Sequence, residues 1–126
     1  MGSGATIDWL HKNYTKGEEI MPKYLYQASY TSDGLRGLVR DGGTKRREAI
    51  ERLAEAIGGK LESMYFAFGD SDVYAIIDAP DNVSASRAAL TVGATGTASV
   101  KTTVLLTPEE VDQATEQSIS YTPPGQ

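Results

Sequence analysis

Asp70 and Asp72 stand two positions apart in "FGDSD". Carboxylates at that spacing can share a hard cation or divide acid and base work. The same spacing serves turn chemistry, because Asp and Ser bond nearby backbone in tight connections, and that is the favoured expectation. Tyr24, Tyr26 and Tyr30 recur with an even period in "KYLYQASY", and Tyr65 and Tyr74 follow on later strands. Together they could line a cavity for an apolar or aromatic small molecule. Packing in a core or an interface is the simpler use for them. Lys45, Arg46 and Arg47 follow "DGGT", with Arg36 and Arg40 just upstream. They could receive an anion, or lie on a solvated helix face with Arg47–Glu51 and Arg52–Glu48 as intrahelical pairs. The Gly-x-x-x-x-Gly-Lys phosphate pattern is missing, so no nucleotide reading attaches. The candidate ligand-binding residues are therefore Tyr26, Tyr65, Arg46 and Asp72. No residue is assigned a catalytic or metal-binding role, and no cofactor is expected.

Trp9 and His11 are the only tryptophan and histidine, and both precede a second methionine, Met21. "MGSG" reads as a small, flexible cloning leader. Thr6 to Lys16 reads as a short amphipathic helix: Thr6 as N-cap, Asp8 in the first turn, Ile7, Leu10 and Tyr14 on one stripe, Gly17 as the stop. About three turns of helix are marginal alone in water, so this segment needs a surface to dock on. Ile7, Trp9, Leu10 and Tyr14 are its candidate partner-docking residues.

From Lys23 the period changes. "KYLYQASY" alternates as a strand. "TSDGLRGLVRDGG" suits a short helix or turn interrupted at Gly42-Gly43. "TKRREAIERLAEAIGG" is the clearest helix, with Ile50, Leu53, Ala54 and Ile57 as its stripe and Gly58-Gly59 as its end. "KLESMYFAFG" and "DVYAIIDAP" are strands joined by a hairpin-sized connection. A helix capped near Asp81 or Asn82 follows, then the strand "SVKTTVLL". A last helical turn or two opens at Thr107-Pro108 and gives way to the extended tail "SYTPPGQ". The order is β-α-β-β-α-β, an α+β ferredoxin-like fold. It has a four-stranded antiparallel sheet, two helices on one face and an added C-terminal helix. The domains expected are 1–20, an extension or tag with a candidate docking helix, and 21–126, one folded domain.

These strands carry apolar residues on both faces. Leu61, Tyr65 and Ala67 are expected to oppose Met64, Phe66 and Phe68; Val73, Ala75 and Ile77 oppose Tyr74 and Ile76; Val100, Val104 and Leu106 oppose Leu105. Two helices cover one face only. The other needs a cover: a second copy of the same sheet is the simplest one, and the C-terminal helix or the N-terminal segment folding over it is the alternative.

The chain from Met21 onward resembles the GYD-domain family, small proteins of the dimeric α+β barrel type. The resembling segments are "MPKYLYQASYTSDGLRGL", "DGGTKRREAIERLAEAIGGKLES", "YFAFGDSDVYAIIDAPD", "TTVLLTPEE" and "YTPPGQ". The resemblance implies the ferredoxin-like fold, homo-oligomerisation and a natural start at Met21. It implies no reaction. Gly69 and Asp72 match the ends of the glycine-tyrosine-aspartate signature, but Ser71 stands at the tyrosine position, so no role of that tyrosine carries over.

With 126 residues the chain suits one domain with a modest core. A net charge of −5 argues against a dedicated nucleic-acid or anionic-membrane binder, which would carry clustered positive charge. With no cysteine, disulfides, thiolate nucleophiles and Cys-ligated metals are excluded, which fits a cytoplasmic setting. After Met21 there is also no histidine, so a Ser-His-Asp triad cannot be assembled there. The expected function is a homo-oligomeric, non-catalytic assembly or interaction module whose N-terminal peptide docks on a protein partner. The alternative is a small-molecule binder or cofactor-free enzyme of α+β barrel type. Deleting residues 1–20 is expected to leave the circular dichroism spectrum and native mass of the body unchanged while abolishing recruitment to any partner in pull-down.

Overall fold

The computed structural model describes residues 14–15, 18–19 and 21–126. Its main sheet has four antiparallel strands: β1 (Lys23–Tyr30), β2 (Lys60–Phe66), β3 (Val73–Asp78) and β4 (Ala98–Leu105). They lie in the order β2-β3-β1-β4. Among the described residues four helices accompany them: α1 (Ser32–Asp41), α2 (Gly43–Ala56), α3 (Asn82–Ala94) and α4 (Pro108–Thr115). The fold is α+β and consistent with a ferredoxin-like arrangement.

Local chemistry sets the helix ends. Thr31 caps α1 by accepting from the Gly34 N–H, and Asp81 caps α3 by accepting from the Ser84 N–H at 2.8 Å. That bond with Ser84 holds the Asp81 carboxyl below its ordinary pKa. A single residue, Gly42 at φ +83°, ends α1 and begins α2, which only glycine tolerates readily. Gly58 and Gly59 close α2: their N–H groups reach the Glu55 and Ala54 carbonyl oxygens at 3.0 and 2.8 Å, the paired bonds of a Schellman ending. Thr107 and Glu110 form a capping box on α4, with Pro108 in the first turn.

The core forms where α2 and α3 meet one face of the sheet. Tyr24, Tyr26 and Ile77 pack with Ala54, Ala85 and Ala88, and Ile50, Leu53, Ile57 and Val100 surround them. Alanine at the contact positions of α3 lets Tyr24, Tyr26 and Ile77 pack against that helix, whose backbone runs closest to β4.

Three expectations change. The β2 register shifts between Leu61 and Ser63, leaving Glu62 as the extra residue of a bulge. Leu61 pairs with Ile77, and after the bulge Met64 and Phe66 pair with Ala75 and Val73 on that same helix-covered face. Tyr65 pairs with Tyr74 on the other face, so Leu61 and Tyr65 are separated rather than grouped. At the N-terminus, Tyr14 and Thr15 pair with Glu19 and Glu18 as a two-stranded ladder instead of ending a helix. The β-branched Thr15, with Gly17 soon after, weighs against helix in a segment too short to be stable alone. The rest of the Thr6–Lys16 expectation lies outside the described residues. Lastly, neither Arg47–Glu51 nor Arg52–Glu48 is among the ion pairs of the described residues. On an exposed helix such pairs are worth a few tenths of a kcal/mol, too little to fix two long side chains.

Two glycines are required by close approach. A Cβ on Gly59 would lie 1.8 Å from the Asp78 carbonyl oxygen, and one on Gly34 would lie 2.1 Å from that of Thr97. Gly59→Ala and Gly34→Ala are each expected to lower stability by about 2 kcal/mol or more in urea unfolding. Gly37→Ala, whose nearest neighbour is the Arg40 guanidinium at 3.8 Å, is expected to raise it by about 0.5–1 kcal/mol through helix propensity.

Candidate functional site

The two tyrosines of the covered face are used for positioning. The Tyr24 hydroxyl donates to Asn82 Oδ1 at 2.6 Å, and the Tyr26 hydroxyl donates to the Ala85 carbonyl oxygen at 2.6 Å. Asn82 and Ala85 lie on the first turn of α3, so β1 fixes the angle at which that helix crosses the sheet. Beside Tyr26 is a wholly apolar cavity of about 50 Å³, bounded by Leu53, Ala75, Ala88 and Val100 among others. Small-molecule pockets run to several hundred Å³, so this cavity is far below the size for an aromatic ligand. Burial pushes the Tyr26 hydroxyl up to about 12, and the neighbouring Tyr24 adds to the shift. Burial also raises Tyr24, with the Asp81 charge assisting.

The other ligand candidates do not join Tyr26. Tyr65 projects from the opposite face and is 72% exposed. Arg46 is half-buried on α2, and Tyr65 borders a shallow groove with Gly43, Thr44 and Arg47 rather than with Tyr26. Asp72 is a joint between strands: its carboxylate accepts the Tyr30 N–H at 2.8 Å, and its own N–H donates to the Ala28 carbonyl oxygen at 2.8 Å. The partner strand lies 42 positions away, so this bond is a long-range tie and not the local turn bond expected of the Asp70/Asp72 pair. No group of three or more His, Cys, Asp or Glu gathers among the described residues. Ser71 is buried. Of the docking candidates, Tyr14 belongs to the N-terminal ladder, while Ile7, Trp9 and Leu10 lie outside the described residues.

The open sheet face carries a different constellation. Leu25 pairs with Ile76, Gln27 with Tyr74, and Tyr65 with Tyr74, so the four side chains Leu25, Ile76, Tyr74 and Tyr65 form one apolar block across three strands. Leu105 joins at the end of β4 opposite Lys23. Every buried strand residue (Tyr24, Tyr26, Val73, Ala75, Ile77 and Ala98) lies on the helix-covered face, and none lies here. One end of the open face is closed by charge. Lys23 Nζ reaches Asp78 Oδ1 at 2.9 Å and also bonds Glu62, the bulge residue. Burial opposes the charge on Lys23, but the bonds and charges of Glu62 and Asp78 outweigh it, and its pKa is raised. Glu62 was not legible as a site residue, since the bulge that holds it is set by pairing with another strand. No helix of the described residues is long and apolar enough to cross a membrane.

Tyr26→Phe is expected to cost about 1 kcal/mol, the net worth of its hydrogen bond. The folded tyrosine holds its proton up to about 12, whereas an unfolded one releases it near 10. Its contribution is therefore full below about pH 10 and is lost as pH rises toward 12. Urea unfolding across that window should show a shallower decline in Tyr26→Phe than in the parent chain.

Comparison with curated proteins found no match, nor did comparison with solved structures. The family model for the GYD domain matches residues 24–115, a span that runs from the first core tyrosine to the end of α4. The chain belongs to the GYD-domain family.

Proposed function

We propose that this protein is a self-assembling GYD-domain module in which the open sheet faces of two copies pack together. The observation that carries the reading is the one-sided burial of the sheet. All six buried strand residues face the helices, yet the face turned away from the helices of the described residues presents the half-buried Leu25, Ile76, Tyr74 and Leu105 and the exposed Tyr65. Apolar surface of this kind, rimmed by Lys23, Glu62, Asp78 and Lys101, has the layout of an interface with a dry centre and a polar edge. A two-fold pairing needs only one surface that complements itself. The chain's own C-terminus does not supply the cover, because no residue of α4 is buried and the residues from Gln117 onward are exposed.

Residues 1–20 then act as a docking peptide carried in two copies, with Ile7, Trp9, Leu10 and Tyr14 as anchors. Two weak peptides on one assembly gain affinity through effective concentration. No reaction is proposed.

Sedimentation equilibrium tests the assembly. The full chain is expected to sediment as a multimer at micromolar concentration, and Ile76→Glu as a monomer with unchanged circular dichroism, because a charge at the block centre is left unpaired in the interface. A parent chain that sediments as a monomer would sink the reading.

A further inference from the structure

Met21 and Pro22 enter the body beside a groove that no described residue fills. The Ala79 N–H donates to the Pro22 carbonyl oxygen at 3.1 Å. Pro80 follows, placed so that a Cβ on Gly58 at the end of α2 would lie 3.4 Å from its Cγ. Asp81 then caps α3. The chain's entry therefore lies at the end of the space between α2 and α3 where Ile57 and Val83 stand. That space is an open groove of about 680 Å³, with Leu53 and Ile57 on its α2 side and Val83 and Leu90 on its α3 side. Val83 and Leu90 are 79% and 70% exposed. Two such side chains beside Leu53 and Ile57 make an apolar strip that lacks a cover.

Chain length points to the occupant. The N-terminal ladder sets Tyr14 opposite Glu19, two residues before Met21. Residues 1–13 therefore leave from within about 13 Å of Met21. Extended, they reach up to about 45 Å, whereas the groove from Val83 to Thr91 runs only about 12 Å along α3. Their large apolar residues, Ile7, Trp9 and Leu10, stand within four positions of one another. A tether this short holds the segment beside the groove at an effective concentration on the order of millimolar, so weak contacts suffice to fill it. A second copy does not supply this cover, because the pairing proposed above uses the opposite side of the sheet.

Charge agrees with reach. Asp8 is the one acidic residue among residues 1–13, and it stands between Ile7 and Trp9. Arg87 is the one charged residue lining the groove, and it is in no ion pair among the described residues. One acid inside an apolar cluster thus matches one base inside an apolar groove.

We propose that residues 1–13 fold back into the groove between α2 and α3 of their own chain, seating Ile7, Trp9 and Leu10 against Leu53, Ile57, Val83 and Leu90 with Asp8 beside Arg87. This rests on the reading of residues 1–20 as a docking peptide and is independent of the sheet pairing. The peptide is then stored on its own body, and a protein partner must displace it. Trp9 is the only tryptophan, so fluorescence excited where tyrosine does not absorb reports this segment alone. Acrylamide should quench Trp9 of the full chain at least about threefold less than that of a free peptide of residues 1–20, because collisions reach only the undocked fraction. Leu90→Glu and Val83→Glu, both at exposed positions, should each raise quenching toward that of the peptide with circular dichroism unchanged. Arg87→Glu should raise it too, and Asp8→Lys in the same chain should lower it again. Trp9 should stay shielded on dilution and in Ile76→Glu, where the sheet pairing is broken. A parent quenched as fully as the peptide, or shielding that survives Leu90→Glu and Val83→Glu, overturns the groove. Exposure by Arg87→Glu without rescue overturns the Asp8–Arg87 placement. Shielding lost in Ile76→Glu but not in Leu90→Glu puts the segment on the sheet face, and overturns both this inference and the pairing. Shielding lost in both, or on dilution, puts it on another copy. A monomeric parent that otherwise behaves as expected overturns the pairing alone.

Discussion

The hydroxyls of Tyr24 and Tyr26 reach from the covered face of β1 to Asn82 and the Ala85 carbonyl oxygen on α3. Much else follows from these two bonds. A buried hydroxyl must find a partner, and both partners lie in the first turn of one helix, so α3 has one orientation that satisfies both. The alanines of α3 then come close enough to bury Ile77 and enclose the small cavity beside Tyr26. Once these tyrosines are committed inward, strand alternation commits Leu25 and Gln27 outward. Register carries the assignment across the sheet: Leu25 opposes Ile76, and Gln27 opposes Tyr74. The open face is thus a consequence of the core, written into the same residues at the alternate positions.

The order of elements was legible because each rests on a local signal. Ile50, Leu53, Ala54 and Ile57 mark α2 by period, Gly58-Gly59 mark its end, and Thr107-Pro108 mark the start of α4. The positions of the ligand candidates were not legible together, because that needs register. A bulge adds one residue and reverses every face after it. Nothing in "KLESMYF" announces that Glu62 is the extra residue; Lys23, Asp78 and the demand of Met64 and Phe66 for the covered face decide it from other strands. Tyr65 was therefore grouped with Tyr26 although the sheet lies between them. Asp72 bonds Tyr30, a residue of another strand brought near by the β1–β3 pairing, and no local turn signal announces that bond.

The N-terminal ladder shows the limit of periodicity from the other side. Ile7, Leu10 and Tyr14 have helical spacing, yet Tyr14 and Thr15 pair with Glu19 and Glu18. A hydrophobic stripe decides conformation only when a surface rewards it, and short helices gain too little from their own hydrogen bonds. α4 has a comparable length but a capping box, and it is helical.

The bulge at Glu62 links core and surface in a way that bears on specificity. Without it, Met64 and Phe66 would face the open side and Tyr65 the core, leaving a phenolic hydroxyl to be satisfied among Ile77, Ala75 and Val73. With it, the covered side of β2 stays aliphatic and aromatic, and Glu62 is delivered to Lys23 beside Asp78. That charged trio spans three strands at one end of the apolar block, where an unlike surface sliding over the face would leave Lys23 or its carboxylates desolvated without partners. A single inserted residue therefore both protects the core and bounds the face on which the proposed pairing depends. The open face is apolar at its centre and limited at one end by ions.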